Sequence, residues 1–228
     1  GTSPGDTIET GSIRQPSLTA AMKARKVWEA NPSNLKAGML YARELNGLGQ
    51  SEAQLKVLEQ LMKYHPKNVS LQVYYGKMLL RSGQASEAIN MLRQAESRGA
   101  RDWKLYSALG SALDQQKRHA EARQYYQRAL KLNPGGVSIM NNMAMSYALE
   151  NKLSESEAIL RKTYATPAGR AEPRIRQNLA LVVGLQGRFD EARTIASRDL
   201  PPAQVEANMA YLKKMLGRNN TWSKLKKS

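Results

Sequence analysis

Small residues recur in this chain at an interval of 34. Gly76 and Gly110 stand one interval apart, and Ala42 and Ala144 extend the series on either side. Ala88 pairs with Ala122 and Ala95 with Ala129 at the same offset, while Pro66 and Pro134 lie two intervals apart. A fixed period of this length marks a stacked array of supersecondary units. Such an array offers a surface made by repetition rather than a single cleft. The stretch "SALGSALDQQKRHAEARQYYQRALKLNPGG", residues 107–136, holds nearly one full unit. Two antiparallel helices, A and B, cross where the small residues sit, so Gly110 is expected to let helix A approach helix B at Ala122. Tyr106, Leu109, Leu113, Tyr126 and Leu130 fill the space around them. Pro134 ends helix B, because it lacks an N–H and cannot continue the ladder. With one Phe against ten Tyr, the core must be built from Leu, Ala, Met and Tyr, a palette rich in helix formers.

This pattern resembles the tetratricopeptide repeat (TPR) family. The resemblance implies an all-α fold, a right-handed superhelix (α-solenoid) of about five helix-turn-helix units with capping helices at both ends. The units are expected at approximately 35–68, 69–102, 103–136, 137–172 and 173–206, with capping helices at 18–31 and 203–216. The fourth unit is loose. Ser156 and Thr163 replace alanines, and "TPAGRAEP" lengthens its loop before Pro173, which falls at a helix first turn where proline is tolerated. Gly217 is expected to stop the last helix. Residues 1–17, rich in Ser, Thr, Gly and Pro, read as a flexible tether, and 218–228 as a basic tail.

The residues argue against catalysis. There is no cysteine, which removes disulfides, thiolate nucleophiles and thiolate metal sites. His65 and His119 are 54 positions apart, with no carboxylate or second His at metal spacing, and read as surface histidines in loops. Acidic residues at the starts of B helices complement the positive helix N-terminus. No metal or cofactor is expected, and the chain reads as a non-enzyme. The net charge of +16 favours acidic partners, and from Tyr211 to Ser228 there are six Lys or Arg and no acid. Nucleic acid is not expected, because the cations are spread over helix faces without an RNA-reading motif. No apolar run reaches the length that spans a bilayer.

In a TPR array, successive A helices line the concave face, and positions 2, 5, 9, 12 and 13 of each unit point into it. The candidate partner-binding groove is therefore Lys36, Met39, Arg43, Val73, Lys77, Leu80, Arg81, Lys104, Ser107, Ser111, Asn141, Met145, Leu149, Arg174, Gln177, Leu181 and Leu185. The same register points Asp114 inward. The first half is basic and the second apolar with amides. That gradient suits a peptide segment with one acidic and one hydrophobic end. The arginine, lysine and asparagine clamp by which TPR co-chaperones hold chaperone tails is not reproduced, since Asn142 and Asn178 lie beyond the basic half.

Three stretches narrow the resemblance: the ending "ANMAYLKKMLGRNNTW" at 207–222, the loose "NKLSESEAILRK" before a lengthened loop, and "QNLALVVGLQGRFDEA" at 177–192. They are similar to TadD, the TPR lipoproteins of the tight-adherence (Tad, or Flp) pilus. That resemblance implies an outer-membrane lipoprotein facing the periplasm, with the lipid on a cysteine upstream of residue 1. It further implies a pilotin-like or chaperone-like role in assembly of the pilus secretin, and hence in surface adherence. The alternative is a soluble cytosolic TPR scaffold or co-chaperone with an unrelated peptide ligand.

Overall fold

The computed structural model describes residues 17–226, with side chains as far as residue 218. Of the expected tether, only Ser17 lies within that range, and its hydroxyl accepts from the Ala20 N–H to start the first helix. Thirteen helices and no strand are present among the described residues. The lone α1 (Leu18–Ala30) is followed by the pairs α2 (Leu35–Gly47) with α3 (Ser51–Tyr64) and α4 (Val69–Arg81) with α5 (Ala85–Ser97). Next come α6 (Trp103–Gln115) with α7 (His119–Leu132), and α8 (Val137–Leu149) with α9 (Leu153–Tyr164). The single turn α10 (Pro167–Arg170) precedes the pair α11 (Pro173–Leu185) with α12 (Phe189–Ala196), and α13 (Pro202–Lys226) ends the series. None of these helices is long and apolar enough to cross a membrane.

The period extends to the caps. Asn34, Asn68 and Asp102 stand immediately before α2, α4 and α6, and each accepts from the N–H three residues on, at 3.0, 2.9 and 2.7 Å. These bonds satisfy orphan donors of the first turn. The A-to-B turns repeat as well: Gly49, Gly83, Lys117, Asn151 and Gly187 all take positive φ. Lys117, at φ 59°, is in a conformation that costs a side chain about 1–2 kcal/mol. Lys117→Gly is accordingly expected to raise stability by about 0.5–1 kcal/mol, the strain relieved exceeding the entropy added to the unfolded chain. A urea midpoint that stays or falls would contradict this account. Glu52, Glu87, Glu121, Glu155 and Asp190 sit in the first turns of the B helices. They complement the helix dipole where the residues preceding those helices make no side-chain capping bond, and Glu121 and Asp190 also pair with Arg118 and Arg193 at 2.8 Å each.

The described residues fall into two compact units that divide between Arg98 and Gly99. The core of unit 1 gathers Trp28, Ala42, Leu45, Leu58, Leu61, Leu71 and Met78. In unit 2, α6 and α7 bury Leu105, Leu109, Leu113 and Tyr126. Farther along, Ala144, Leu160, Ile175, Leu179, Val183, Val205, Met209 and Leu212 form a second cluster. The crossing at Gly110 differs in its partner from the sequence expectation. A Cβ there would meet Cε1 of Tyr126 at 2.4 Å, so the aromatic ring, rather than Ala122, occupies the space that glycine leaves.

Two expectations are corrected. "TPAGRAEP" is not a plain loop. Thr166 accepts from Gly169 N at 3.0 Å and Pro167 takes the first turn, so it folds as α10. The close turn requires Gly169, whose Cβ would fall 1.8 Å from the Thr163 carbonyl oxygen. Gly217 does not stop the last helix either. It is not among the glycines of positive φ, no proline follows it, and α13 continues to Lys226.

Unit 2 is also laced by charge. The Glu157 carboxylate of α9 receives Arg161 at 2.7 Å, Gln186 at 2.8 Å and Arg188, and both arginines also reach Glu191. Burial opposes ionisation of Glu157, but the hydrogen bonds from Arg161, Arg188 and Gln186 outweigh it and hold the carboxyl down to about 2. A depressed value stabilises the fold above the ordinary value of 4.5, and that contribution is lost as pH falls toward 2. With solvent screening at this rim it amounts to on the order of 1 kcal/mol. Glu157→Gln should therefore remove about that much acid sensitivity between pH 5 and 2, read from thermal melts. Parallel pH profiles for the two proteins would refute it.

Candidate functional site

In unit 1, α2 and α4 present Lys36, Arg43 and Arg81 to solvent, with Met39, Val73, Lys77 and Leu80 half-buried between them. The Arg43 guanidinium lies 5.7 Å from the centre of the Tyr74 ring, an arrangement that attracts the cation to the ring face. Gln54, buried on α3, donates to the Tyr74 hydroxyl at 2.9 Å and fixes the ring. Burial raises the Tyr74 phenol above its ordinary value even though Arg43, Gln54 and Arg81 pull it down. The ring is thus a neutral platform for Arg43. Helix α4 contains no acid at all.

In unit 2, Lys104, Leu149, Arg174 and Gln177 are exposed, while Ser107, Ser111, Met145, Leu181 and Leu185 are half-buried. Leu181 and Leu185 pack against the core, whereas Leu149 projects into solvent. Asn141 is the exception. It is buried, and its Oδ1 accepts from Asn178 Nδ2 at 2.6 Å, so it ties α8 to α11 and is not free for a ligand. Ser107 and Ser111 have lesser ties, to Asn142 and Tyr126 at 3.4 Å each.

One polar cluster went unread in the sequence. Asp114 receives the Tyr126 hydroxyl at 2.8 Å and the Ser146 hydroxyl at 2.7 Å, and lies 2.7 Å from His119 Nδ1. His119 is therefore not a surface loop histidine: it opens α7 and is mostly buried against this carboxylate. Burial first, and the Asp114 charge second, push the Tyr126 phenol well up, so it remains a donor. Arg123 extends the cluster, donating to Ser146 at 3.3 Å, pairing with Glu150 at 2.7 Å and stacking on Tyr147. The signal from Ser146 was weak: its repeat position holds Met78, Ala112 and Val182 in other units but also Glu44, so a polar residue there does not single out this cluster. With three partners on one carboxylate, Asp114 fastens α6, α7 and α8 together rather than offering itself to a ligand.

The open feature of unit 2 lies between α11 and α13. Helix α12 has eight residues, where α3, α5, α7 and α9 have 12 to 14. Beside this short helix lies a cavity of about 440 Å³. Ala180, Leu181, Ala196, Leu200, Met209 and Leu212 give it apolar walls, and Gln177, Gln204, Asn208 and Tyr211 supply polar groups. Of the residues expected from the register, Gln177 and Leu181 are brought together here. The contribution of α13 departs from the sequence expectation, in which that helix serves only as a cap. Chemically the cavity can bury one bulky apolar side chain while the amides bond to peptide groups. Among the described residues, no group of three or more His, Asp or Glu could hold a metal ion.

Residues 76–137 match the family described as tetratricopeptide repeat. Over 110 residues the chain is 29% identical to the "Uncharacterized protein y4yS" of Sinorhizobium fredii (strain NBRC 101917 / NGR234), covering 48% of this chain. The chain spans 60% of the length of that curated relative. Among solved structures, a tetratricopeptide repeat protein from Parabacteroides merdae ATCC 43184 aligns with a TM-score of 0.73 at 15% identity, covering 87% of this chain and 79% of that one. YrrB, described as a TPR protein with an unusual peptide-binding site, aligns at 0.60 and 19%, covering 86% of this chain and 100% of that one. MamA aligns at 0.58 and 20%, covering 77% and 93%. At these identities the likeness establishes architecture and leaves function to the site. Repeated helix pairs, a matching central segment and these alignments agree: the chain is a repeat protein of the tetratricopeptide fold.

Proposed function

We propose that the chain is a non-enzymatic adaptor that binds a segment of a partner protein on its A-helix surfaces, anchored in the cavity of unit 2. The observation that carries this reading is the meeting of Gln177 and Leu181, both expected to face a ligand, around an apolar cavity of about 440 Å³. A Leu, Met or aromatic side chain would fill the cavity, and Gln177, Gln204 and Asn208 would hold the main chain beside it. The cationic strip of α2 and α4 separately favours an acidic segment, which it would steer through long-range attraction. That YrrB is described as peptide-binding is consistent with this class of partner.

The finer reading places the adaptor at the periplasmic face of an outer membrane, in assembly of a tight-adherence pilus and its secretin. Its support is the similarity of residues 151–162, 177–192 and 207–222 to the TadD lipoproteins. Affinity capture from detergent-solubilised envelope, read by mass spectrometry, tests it. Secretin and pilus-assembly proteins among the specific partners are the expected result. Cytosolic chaperones without envelope proteins would move the adaptor to the cytosolic alternative.

With any captured segment, Leu181→Asp is expected to raise the dissociation rate at least tenfold, because it places a carboxylate in the apolar wall. Tyr211→Ala, at an exposed position that folding does not depend on, should weaken binding several-fold. Unchanged kinetics in both variants would exclude the cavity as the anchor.

A further inference from the structure

Helix α1 has the register of a helix B, yet no helix A precedes it among the described residues. Its surface can be compared with positions 34, 68, 102 and 136 residues on. Val27 is 56% exposed, whereas Leu61, Ala95 and Ala129 at the equivalent position are 0% exposed and Thr163 is 4%. Beside Val27 a groove of about 190 Å³ runs between α1 and α2, lined by Ala20, Ala24, Ala37 and the exposed Leu40. In the complete pairs, this face of helix B receives the helix A of its own unit: Gly38 lies against Leu61, Gly76 against Leu92 and Gly110 against Tyr126. The groove is therefore the next step of an interface that the fold already builds repeatedly.

The period also indicates what the occupant is not. A helix A in this register would fall on residues 1–13, where Ser3 and Gly11 replace the apolar residues that later A helices carry at the same positions, such as Leu71 and Leu79. Pro4 and Gly5 add to the mismatch. The chain's other A helices fit poorly too. Their crossing residues are small where the partner is large: Gly76 and Gly110 lie against Leu92 and Tyr126, and Ala42 and Ala144 hold the same register in one core with Leu58 and Leu160. In α1 the facing position is Ala24, so a small residue against it would leave a void.

We propose that this groove takes an amphipathic helix of another protein, bound in the register of a helix A and bearing a bulky apolar side chain where this chain's own A helices carry Ala or Gly. Lys23 lines the α1 wall of the groove, and its charge favours a helix with an acidic flank on that side. The inference concerns unit 1 and does not depend on the cavity of unit 2.

The test uses the full chain and two stapled, fluorescently labelled peptides of residues 102–116, one unaltered and one carrying Gly110→Leu. Fluorescence anisotropy should show the Gly110→Leu peptide binding at least tenfold more tightly than the unaltered one. Val27→Glu in the chain should cost at least tenfold, with helix content unchanged by circular dichroism. Ala24→Leu should invert the preference between the peptides, a readout that general destabilisation would not produce. Absence of saturable binding, equal affinities for the two peptides, or indifference to Val27→Glu would overturn the proposal. So would a dimer, seen by sedimentation and dissociated by Val27→Glu, since a second copy would then fill the groove.

Discussion

Alanine in place of Asp114 is expected to lower the unfolding free energy of unit 2 by roughly 3–5 kcal/mol, the range for removing one partner of a buried charged network. The carboxylate is partner to Tyr126, Ser146 and His119, which come from α7 and α8, so its loss leaves three polar groups without their acceptor. An unsatisfied buried donor costs about 1–3 kcal/mol, and the three losses are not additive because they share one centre. Asp114→Asn keeps the shape and one acceptor oxygen and should cost about half as much. Urea unfolding followed by circular dichroism checks both. A loss below about 1 kcal/mol for the alanine variant would mean that water replaces the carboxylate and that the cluster does not fasten the three helices.

The second large effect is expected at Gly110. In a helix, Ala is ordinarily better than Gly by about 1 kcal/mol. Here the added Cβ would lie 2.4 Å from the Tyr126 ring, which is almost fully buried and tethered to Asp114 through its hydroxyl. The ring cannot retreat, so overpacking outweighs propensity and Gly110→Ala should cost a net 2–3 kcal/mol. The repeats themselves supply the rescue. At the equivalent positions Ala42 shares a buried core with Leu58, and Ala144 with Leu160, so an alanine with a leucine is a combination this fold accepts. Adding Tyr126→Leu to Gly110→Ala should therefore recover part of the loss, although Asp114 then lacks one donor. If the double variant is less stable than the sum of the two single changes predicts, size complementarity at this crossing is not what selects glycine.

The period, the helix pairs and the all-α fold were legible in the sequence because they rest on local chemistry. Pro134 ends a helix whatever surrounds it, and Pro173 starts one. The capping series Asn34, Asn68 and Asp102 could have been read the same way, since it follows the spacing of the small residues. Positions facing the A-helix surface followed from register, and most are accessible, but register could not distinguish an accessible asparagine from Asn141, whose oxygen is taken by a residue 37 positions away. The extension of α13 past Gly217 and the turn at α10 were missed because glycine and proline permit a break without enforcing one.

What the sequence determined by itself is the repeated unit: which residues form helices A and B, which side of each is small, and where the charge is concentrated. These follow from spacing within some 34 residues, the range over which propensity and periodicity act. Tertiary structure alone decided which small residue faces which large one, that a short α12 stands beside a cavity, and that Asp114 and His119 close on each other. It also decided that Val27 meets solvent where its equivalents are covered. Each of these depends on a side chain from another helix, and on the balance between filling a space and leaving it open, which no single segment encodes.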